Sequence, residues 1–416
     1  MSKASTVIDP VTFSDYAEKA SRTDRFVQTA DSLRNLKFGF FGEVGGLLSA
    51  LKKVSRDSLQ ASEAELASEE LGDALWYLAA VAKRLGLQSG AVAVAAMREM
   101  RMRFNEADAE THEALELRQL DAMAALHCQQ IKRDRQILLS ELALHSGVLL
   151  SSSESIQHEL GAPSDEKLMG KLLALLVLIA TSYELDLEQV ACQNLEKNER
   201  RWPSSARVYK AHFDEAYPEY EQFPRRFKLK FQERDSGHVV QLMNDVCIGD
   251  RLTDNNTESD DYRFHDVFHL AYVAHLGWSP VLRALLKLKR KSNATVDETQ
   301  DGARAMIIEE GIATWIFNHA KYRNFYADIK DGTLDYSLLK QVQSMVEGYE
   351  VERCSPWQWE SAILEGFRIF REMKKPENRG GVVSVDMDEH CIEFHPLDKH
   401  PERQGFHQAA GGDQFP

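Results

Sequence analysis

Residues Phe38 to Lys53 read FGFFGEVGGLLSALKK, and after a polar spacer Ser68 to Leu87 read SEELGDALWYLAAVAKRLGL. In the second stretch Leu71, Leu75, Leu78 and Ala82 recur at three- and four-residue steps with no Gly or Pro until Gly86, apart from Gly72, which predicts a helix over 69–85. Glu70 and Asp73 then share one face of it. In the first stretch Val44, Leu47, Leu48 and Leu51 form the stripe of a helix over 42–53. Glu43 lies near its start, and Lys52 and Lys53 at its end, where cations suit the helix dipole. Three carboxylates meeting between two such helices would repel one another and lose hydration unless a cation sat among them. Hard oxygen donors of this kind suit Mg²⁺ or Mn²⁺ better than Zn²⁺. The same acids are also compatible with plain solvated helix faces, because charged side chains are mostly exposed.

The 416-residue chain is long enough for two or three domains, and 43% hydrophobic with 28% charged residues is a globular composition. A net charge of -15 argues against a nucleic-acid binder held mainly by phosphate contacts. The N-terminus lacks the layout of a signal peptide, and the longest apolar run, Leu172 to Ala180, is far short of the roughly 20 residues of a membrane span. Cys128, Cys192, Cys247, Cys354 and Cys391 form no CxxC pair, which points to a reducing cytoplasm.

The two acidic stretches together resemble the MazG-type all-α nucleoside triphosphate pyrophosphatases, whose pattern is Glu-x-x-Glu on one helix and Glu-x-x-Asp on the next. Glu43 matches the first position, and Glu70 and Asp73 the last two, within EELGDALWYLAAVA; the second position is Gly46. The resemblance implies an Mg²⁺-dependent hydrolase that converts a (d)NTP to a (d)NMP and pyrophosphate, for cleansing or depleting a nucleotide pool. It implies metal ligation by Glu43, Glu70 and Asp73, with Glu69 as an additional ligand or base. Lys52, Lys53, and Arg98 and Arg101 on a further helix over 91–105 are candidates for the substrate's phosphates. The family's bundles associate through their helices, which leaves homo-oligomerisation open.

A diverged internal copy follows. Leu172 to Pro203 can be laid on the segment after Leu75 by a shift of about one hundred positions, placing Leu85 on Leu185 and Leu87 on Leu187. Glu70 then falls on Gly170 and Asp73 on Leu173, so the copy has lost its acids, although Glu141 stands alone on an upstream helix over 134–149. Its closing helix keeps Asn194, Lys197, Arg200 and Arg201, similar to the family's Asn-x-x-Lys ending. The expected architecture is mainly α: a MazG-like bundle (1–115) and a degenerate repeat (116–212) joined as a tandem pseudo-dimer. A mostly helical C-terminal domain with a small β-sheet (213–398) and a disordered tail (399–416) complete it. Asn194, Lys197 and Arg200 would reach the triphosphate from the second copy.

In the last third, RRFKLKFQER over 225–234 alternates as a strand should, with Val382 to Met387 and Cys391 to Phe394 as its expected partners. Phe213 to Pro224 reads as a linker and KLKRK (Lys287 to Lys291) as a solvated helix end. Between the strands, YRFHDVFHLAYVAHLGWSP places His265 and His269 one helical turn apart with Asp266 adjacent, and a second helix over 301–319 presents Glu309 and Glu310. Two histidines and a carboxylate from another helix can hold Zn²⁺, Mn²⁺ or iron. His238, upstream of the His265-Asp266 dipeptide, gives an order that resembles the opening of HD-type metal phosphohydrolases, with Glu309 standing in for that family's final Asp. Core histidines bonded to Asp266, Glu309 or backbone are the other reading. The region from Phe223 to Leu397 looks more like the extension that follows MazG domains in longer bacterial proteins. Three functions therefore stand open: the pyrophosphatase, a bifunctional protein with a C-terminal metal phosphohydrolase, and a nucleotide-binding sensor or scaffold whose activity went with Gly46.

Overall fold

The computed structural model describes residues 10–26, 30–56, 62–107, 114–151 and 165–397, which fall into two compact units, Met1–Arg207 and Val208–Pro416. The chain is mainly α-helical, with one small antiparallel sheet in the second unit. The expected tail beyond Asp398 lies outside the described residues.

Unit 1 is helical throughout. Its elements are α1 (Phe13–Ser21), α2 (Ala30–Arg56), α3 (Glu63–Arg84), α4 (Ser89–Phe104), α5 (Leu117–Leu126), α6 (Cys128–Arg133), α7 (Arg135–Ser151), α8 (Asp165–Ser182) and α9 (Leu187–Arg201). A capping box between Ser62 and Glu65 starts α3, where two otherwise orphaned N–H groups find oxygen acceptors. The apolar run Leu172 to Ala180 lies inside α8, which is buried on nearly every face and forms the middle of the unit's core. That burial explains its all-round hydrophobicity. Among the described residues no single helix is long and apolar enough to cross a membrane. Helix α2 is longer than its glycines suggested. Leu36 and Phe40 extend the stripe of Val44 and Leu47 backwards, so Glu43 sits near the middle of a 27-residue helix instead of at its start.

The helices on either side of both turns share one core. After α3, Gly86 (φ +71) closes the turn with Gly86 N–H to Lys83 O at 3.1 Å and Leu87 N–H to Ala82 O at 3.0 Å. After α8, Glu184 (φ 62) closes a turn with the same pattern, Glu184 N–H to Thr181 O at 3.1 Å and Leu185 N–H to Ala180 O at 3.0 Å. The two turns lie 98 residues apart (84 to 182, 89 to 187), beside the shift of about one hundred read from the sequence. Apolar residues at both Leu85 and Leu87 disguise the two-residue difference.

At the 98-residue spacing of the turns Gly72 falls on Gly170, and both are points of close helix approach. A Cβ on Gly72 would stand 3.1 Å from Asn194 Cβ, and one on Gly170 would stand 2.4 Å from Ala95 Cβ and 3.0 Å from Ala96 N. Asn194 itself corresponds to Ala96 at that offset.

Unit 2 has a five-stranded sheet in the order β3-β2-β1-β4-β5, all antiparallel: β1 (Arg226–Glu233), β2 (Val239–Met243), β3 (Val246–Leu252), β4 (Gly380–Asp386) and β5 (Cys391–His395). The distant partner of β1 is β4, and β5 pairs with β4 alone. The β2–β3 hairpin was not expected from the sequence. It turns on Asn244 and Asp245, both at positive φ (50 and 63), as the two-residue turns that suit the twist of a hairpin require. The helices are α10 (Asp266–Leu276), α11 (Pro280–Leu285), α12 (Ala294–Thr299), α13 (Ala303–Lys321), α14 (Tyr336–Met345) and α15 (Pro356–Met373). Trp357 and Trp359 near the start of α15 are core residues.

A buried ionic network ties the entry segment to the helices. Arg283 donates to Asp214 Oδ2 at 2.9 Å, Arg290 donates to Asp301 Oδ1 at 2.7 Å and to Glu350 Oε1 at 2.6 Å, and Glu221 accepts from Ser292 N–H at 2.9 Å. Asp214, Arg283, Arg290 and Asp301 are all at most 1% exposed. The reading of 213–224 as a linker and of KLKRK as a solvated turn is therefore overturned at Asp214, Glu221 and Arg290. Composition reports polarity, and these polar groups are paired with one another in the interior.

Two stability predictions follow from this packing. Arg290→Met removes the cation that Asp301 and Glu350 share and should cost unit 2 about 3–5 kcal/mol, measured by denaturant unfolding. In unit 1 the buried Asp121 accepts the N–H groups of Leu187 at 2.9 Å and Glu188 at 3.0 Å, capping α9 from a distance. Burial outweighs these bonds and raises its carboxyl to about 6. A raised carboxyl stabilises the fold while protonated, so this contribution is present below about pH 4 and lost as pH rises through about 6. Relative to Asp121→Asn, the native chain should lose up to about 3 kcal/mol across that window; parallel unfolding curves of the two proteins at pH 4 and pH 7.5 measure it.

Candidate functional site

The acids of unit 1 sit where α2, α3 and α9 meet. Glu43 is half-buried on α2; burial, then Asp73 and Glu70, raise its carboxyl to about 7, with Lys197 opposing. A carboxyl with that value is held between proton and cation at neutral pH. A Cβ on Gly46 would stand 2.4 Å from Glu70 Oε2, so the carboxylate of Glu70 fills the space beside the bare glycine. The position at which the family pattern carries a second glutamate is thus covered by another acid's side chain. Asp73 turns toward α9: its Oδ1 accepts from Asn194 Nδ2 at 2.8 Å and from the Lys197 ammonium. Asn194 is in turn fixed through its own oxygen, which accepts from Tyr16 O–H and Asn198 Nδ2, each at 2.9 Å.

The other expected site residues divide. Glu69 is exposed and lines a 210 Å³ cleft between α3 and α9 together with Asn194 and Lys197, whereas Glu70 faces α2. Neighbouring positions on a helix point about 100° apart, and these two meet different partners. Arg98 is exposed and Arg101 half-buried on α4, a helix packed on α8 whose Arg103 pairs with Glu141 of α7. The cation that reaches Asp73 is Lys197. Arg200 is exposed near the end of α9 and Lys52 is exposed on α2, while the side chain of Lys53 lies outside the described residues. Trp76 donates its indole N–H to Thr23 Oγ1 at 3.0 Å and to Ala20 O at 3.2 Å, which makes it a core residue.

Unit 2 holds a second, tighter cluster. His265 Nε2 lies 2.9 Å from Asp266 Oδ1 and 3.6 Å from Glu310 Oε2, and His269 Nε2 lies 3.5 Å from Glu310 Oε1. Among the described residues, His265, Asp266 and His269 are the one set of three or more His, Cys, Asp or Glu side chains whose ligand atoms all lie within 4.8 Å of one another. The carboxylates of unit 1 are not gathered that tightly. The His Nδ1 atoms are engaged elsewhere, at 2.9 Å from Tyr262 O for His265 and 2.7 Å from Glu309 Oε1 for His269. Burial disfavours charge on both rings, but Asp266 raises His265 to about 9, and Glu309 with Glu310 raises His269 well above its ordinary value.

Sequence reasoning placed Glu309 among the ligands, yet it is fully buried behind His269 and also accepts Val281 N–H at 2.8 Å. Its neighbour Glu310 faces both imidazoles. His238 lies in the turn between β1 and β2, where its ring meets Ser236, and is not part of the cluster. The cluster opens on a cavity of 830 Å³ whose wall includes Tyr262, His265, Asp266, Glu310, Thr314 and Asn318.

Residues 208–398 match the family model described as the MazG C-terminal domain. The match begins at the first residue of unit 2 and supports a MazG relationship for that unit. No curated protein and no solved structure matches the chain.

Because Lys197 holds Glu43's carboxyl down, Lys197→Met should move it above about 7, and a carboxyl-resolved NMR titration of the two proteins measures the displacement. An unchanged midpoint would mean that Lys197 does not act on Glu43.

Proposed function

We propose that unit 1 is a nucleoside triphosphate pyrophosphohydrolase, cutting a (d)NTP to (d)NMP and pyrophosphate with Mg²⁺ or Mn²⁺. The observation that carries this reading is the placement of half-buried Glu43 on α2 and of Glu70 and Asp73 on α3, with Glu70 against Gly46 and with Lys197 and Asn194 on Asp73. The match of the second unit to the MazG C-terminal domain supports it. The donor set is all oxygen, which fits a hard divalent ion. Held by Glu43, Glu70 and Asp73, such an ion supplies charge neutralisation on the phosphates and a more acidic water. Lys197 pairs with Asp73 until a triphosphate offers it a better acceptor. Asn194, fixed by Tyr16 and Asn198, keeps its amide aimed at the same edge. With Gly46 in place, Glu70 is the acid that covers the second position, and the site works with three carboxylates.

The same reading makes unit 1 a fused pair. The supports are the matching turns at the 98-residue offset and the reciprocal glycine contacts, α3 on α9 through Gly72 and α8 on α4 through Gly170. A two-fold arrangement requires such reciprocity. At that offset Asp73 falls on Lys171 and Lys197 on Glu99, so the charges are exchanged. Only the first half keeps a carboxylate set, and the second contributes Asn194 and Lys197 to it. Cytoplasmic nucleotide metabolism is the setting this activity implies.

The test is a panel of NTPs and dNTPs with Mg²⁺ or Mn²⁺, following pyrophosphate against orthophosphate. Pyrophosphate release that falls at least ~100-fold in Glu43→Gln and Asp73→Asn supports the reading. Nucleotide binding with no turnover under any metal would instead make unit 1 a sensor or scaffold, and orthophosphate as the product would move the chemistry elsewhere.

A further inference from the structure

We propose that unit 2 carries a second metal centre, independent of the unit 1 carboxylates: a first-row divalent transition ion held by His265 Nε2, His269 Nε2, Asp266 and Glu310. The argument begins with an orphan. His269 is fully buried, and its Nε2 has no hydrogen-bond partner among the described residues although it points into the acidic cluster. A buried ring nitrogen without a partner costs free energy that the fold would have to recover elsewhere. A bound cation removes the cost.

The distances agree. Ligands bonded at about 2.1 Å to one ion stand roughly 3 to 3.5 Å from their neighbours. The separations here are 2.9 Å from His265 to Asp266, 3.6 Å from His265 to Glu310, and 3.5 Å from His269 to Glu310. The surroundings are also those of a metal site, in which each ligand is oriented from behind. Tyr262 O takes the Nδ1 proton of His265 and Glu309 that of His269, so in both neutral rings the Nε2 lone pair is the free one. Gln241 donates to Asp266 Oδ2, which leaves Oδ1 for the centre. Glu309 is itself fixed by Val281 N–H, so the chain of orientation runs back to the main chain of α11.

Two imidazoles and two carboxylates form a borderline set that suits Zn²⁺, Mn²⁺ or Fe²⁺ better than Mg²⁺ or Ca²⁺. A charge of +2 also balances Asp266 and Glu310 with both rings neutral. Glu310 is 42% exposed on the cavity side, so the ion would keep an open position toward the 830 Å³ space. Among the described residues no lysine or arginine lines that cavity, and Asp254 and Asp260 in its wall are already paired with Arg263 and Lys321. A polyphosphate would find no cation there besides the metal. The ligand class that fits is water or a small neutral or singly anionic oxygen donor, which separates this centre from the nucleotide site proposed for unit 1.

The experiment uses the full chain, stripped with chelator and titrated with Co²⁺, followed by visible absorption and equilibrium dialysis, with Glu43→Gln, His265→Asn and Glu310→Gln in parallel. The expected result is one Co²⁺ per chain with the absorption of a nitrogen-ligated ion, retained in Glu43→Gln and weakened at least ~10-fold in the other two. Glu310→Gln alters a partly exposed side chain, so it carries the test if His265→Asn does not fold, with the melting temperature as the check. Absence of a bound equivalent overturns the proposal. So does an equivalent that is lost in Glu43→Gln and kept in Glu310→Gln.

Discussion

A carboxylate removed from water beside another carboxylate needs a proton, a basic side chain or a metal ion, and both units are arranged around that requirement. In unit 1 burial and its acidic neighbours raise the Glu43 carboxyl, while Asp73 meets Lys197 of α9. In unit 2 the solution is more complete: Asp214, Asp301 and Glu350 are matched by Arg283 and Arg290. The cluster at His265, Asp266, His269 and Glu310 differs in kind, because its carboxylates face imidazoles instead of guanidinium or ammonium groups. Buried ion pairs add little net stability, but removing one member is costly. The polar interior therefore constrains which substitutions the fold accepts more than it raises stability.

The stripe of α3 was legible over 69–85, whereas its start six residues earlier, marked by the Ser62-x-x-Glu65 capping box, was not read from the sequence. The length of α2 was not, because three glycines in GEVGG read as a beginning, whereas tertiary contacts carry the helix straight through them. The β2–β3 hairpin left a signal in the sequence: Asn244-Asp245 sits between VVQLM and VCIGD, a two-residue turn between apolar runs. The exposed outer strand β3 lacks clean alternation, which hid it.

Residue types at the sites were readable, and facing was not. Glu309 and Glu310 are adjacent on α13, so which one meets the two histidines depends on the roll of that helix against α10, a tertiary quantity. Glu69 and Glu70 pose the same ambiguity against α2 and α9, and the neighbours there also assign them different surfaces. The turns after α3 and α8 lie 98 residues apart, two short of the shift read from the sequence, for a related reason. Leucine-rich helices align almost equally well at several shifts, while the turn with a residue at positive φ has one position only.

The segment 213–224 has a consequence for anyone dissecting the chain. It carries Asp214, the carboxylate that meets Arg283 in the interior, and Glu221, which caps the backbone at Ser292. A fragment begun at the first strand would keep all five strands yet take from the buried Arg283 its 2.9 Å carboxylate partner, leaving Asp301 at 3.7 Å. Excision of the C-terminal half has to start upstream of the visible secondary structure, near residue 208, because the chain leading into the domain belongs to its foundations.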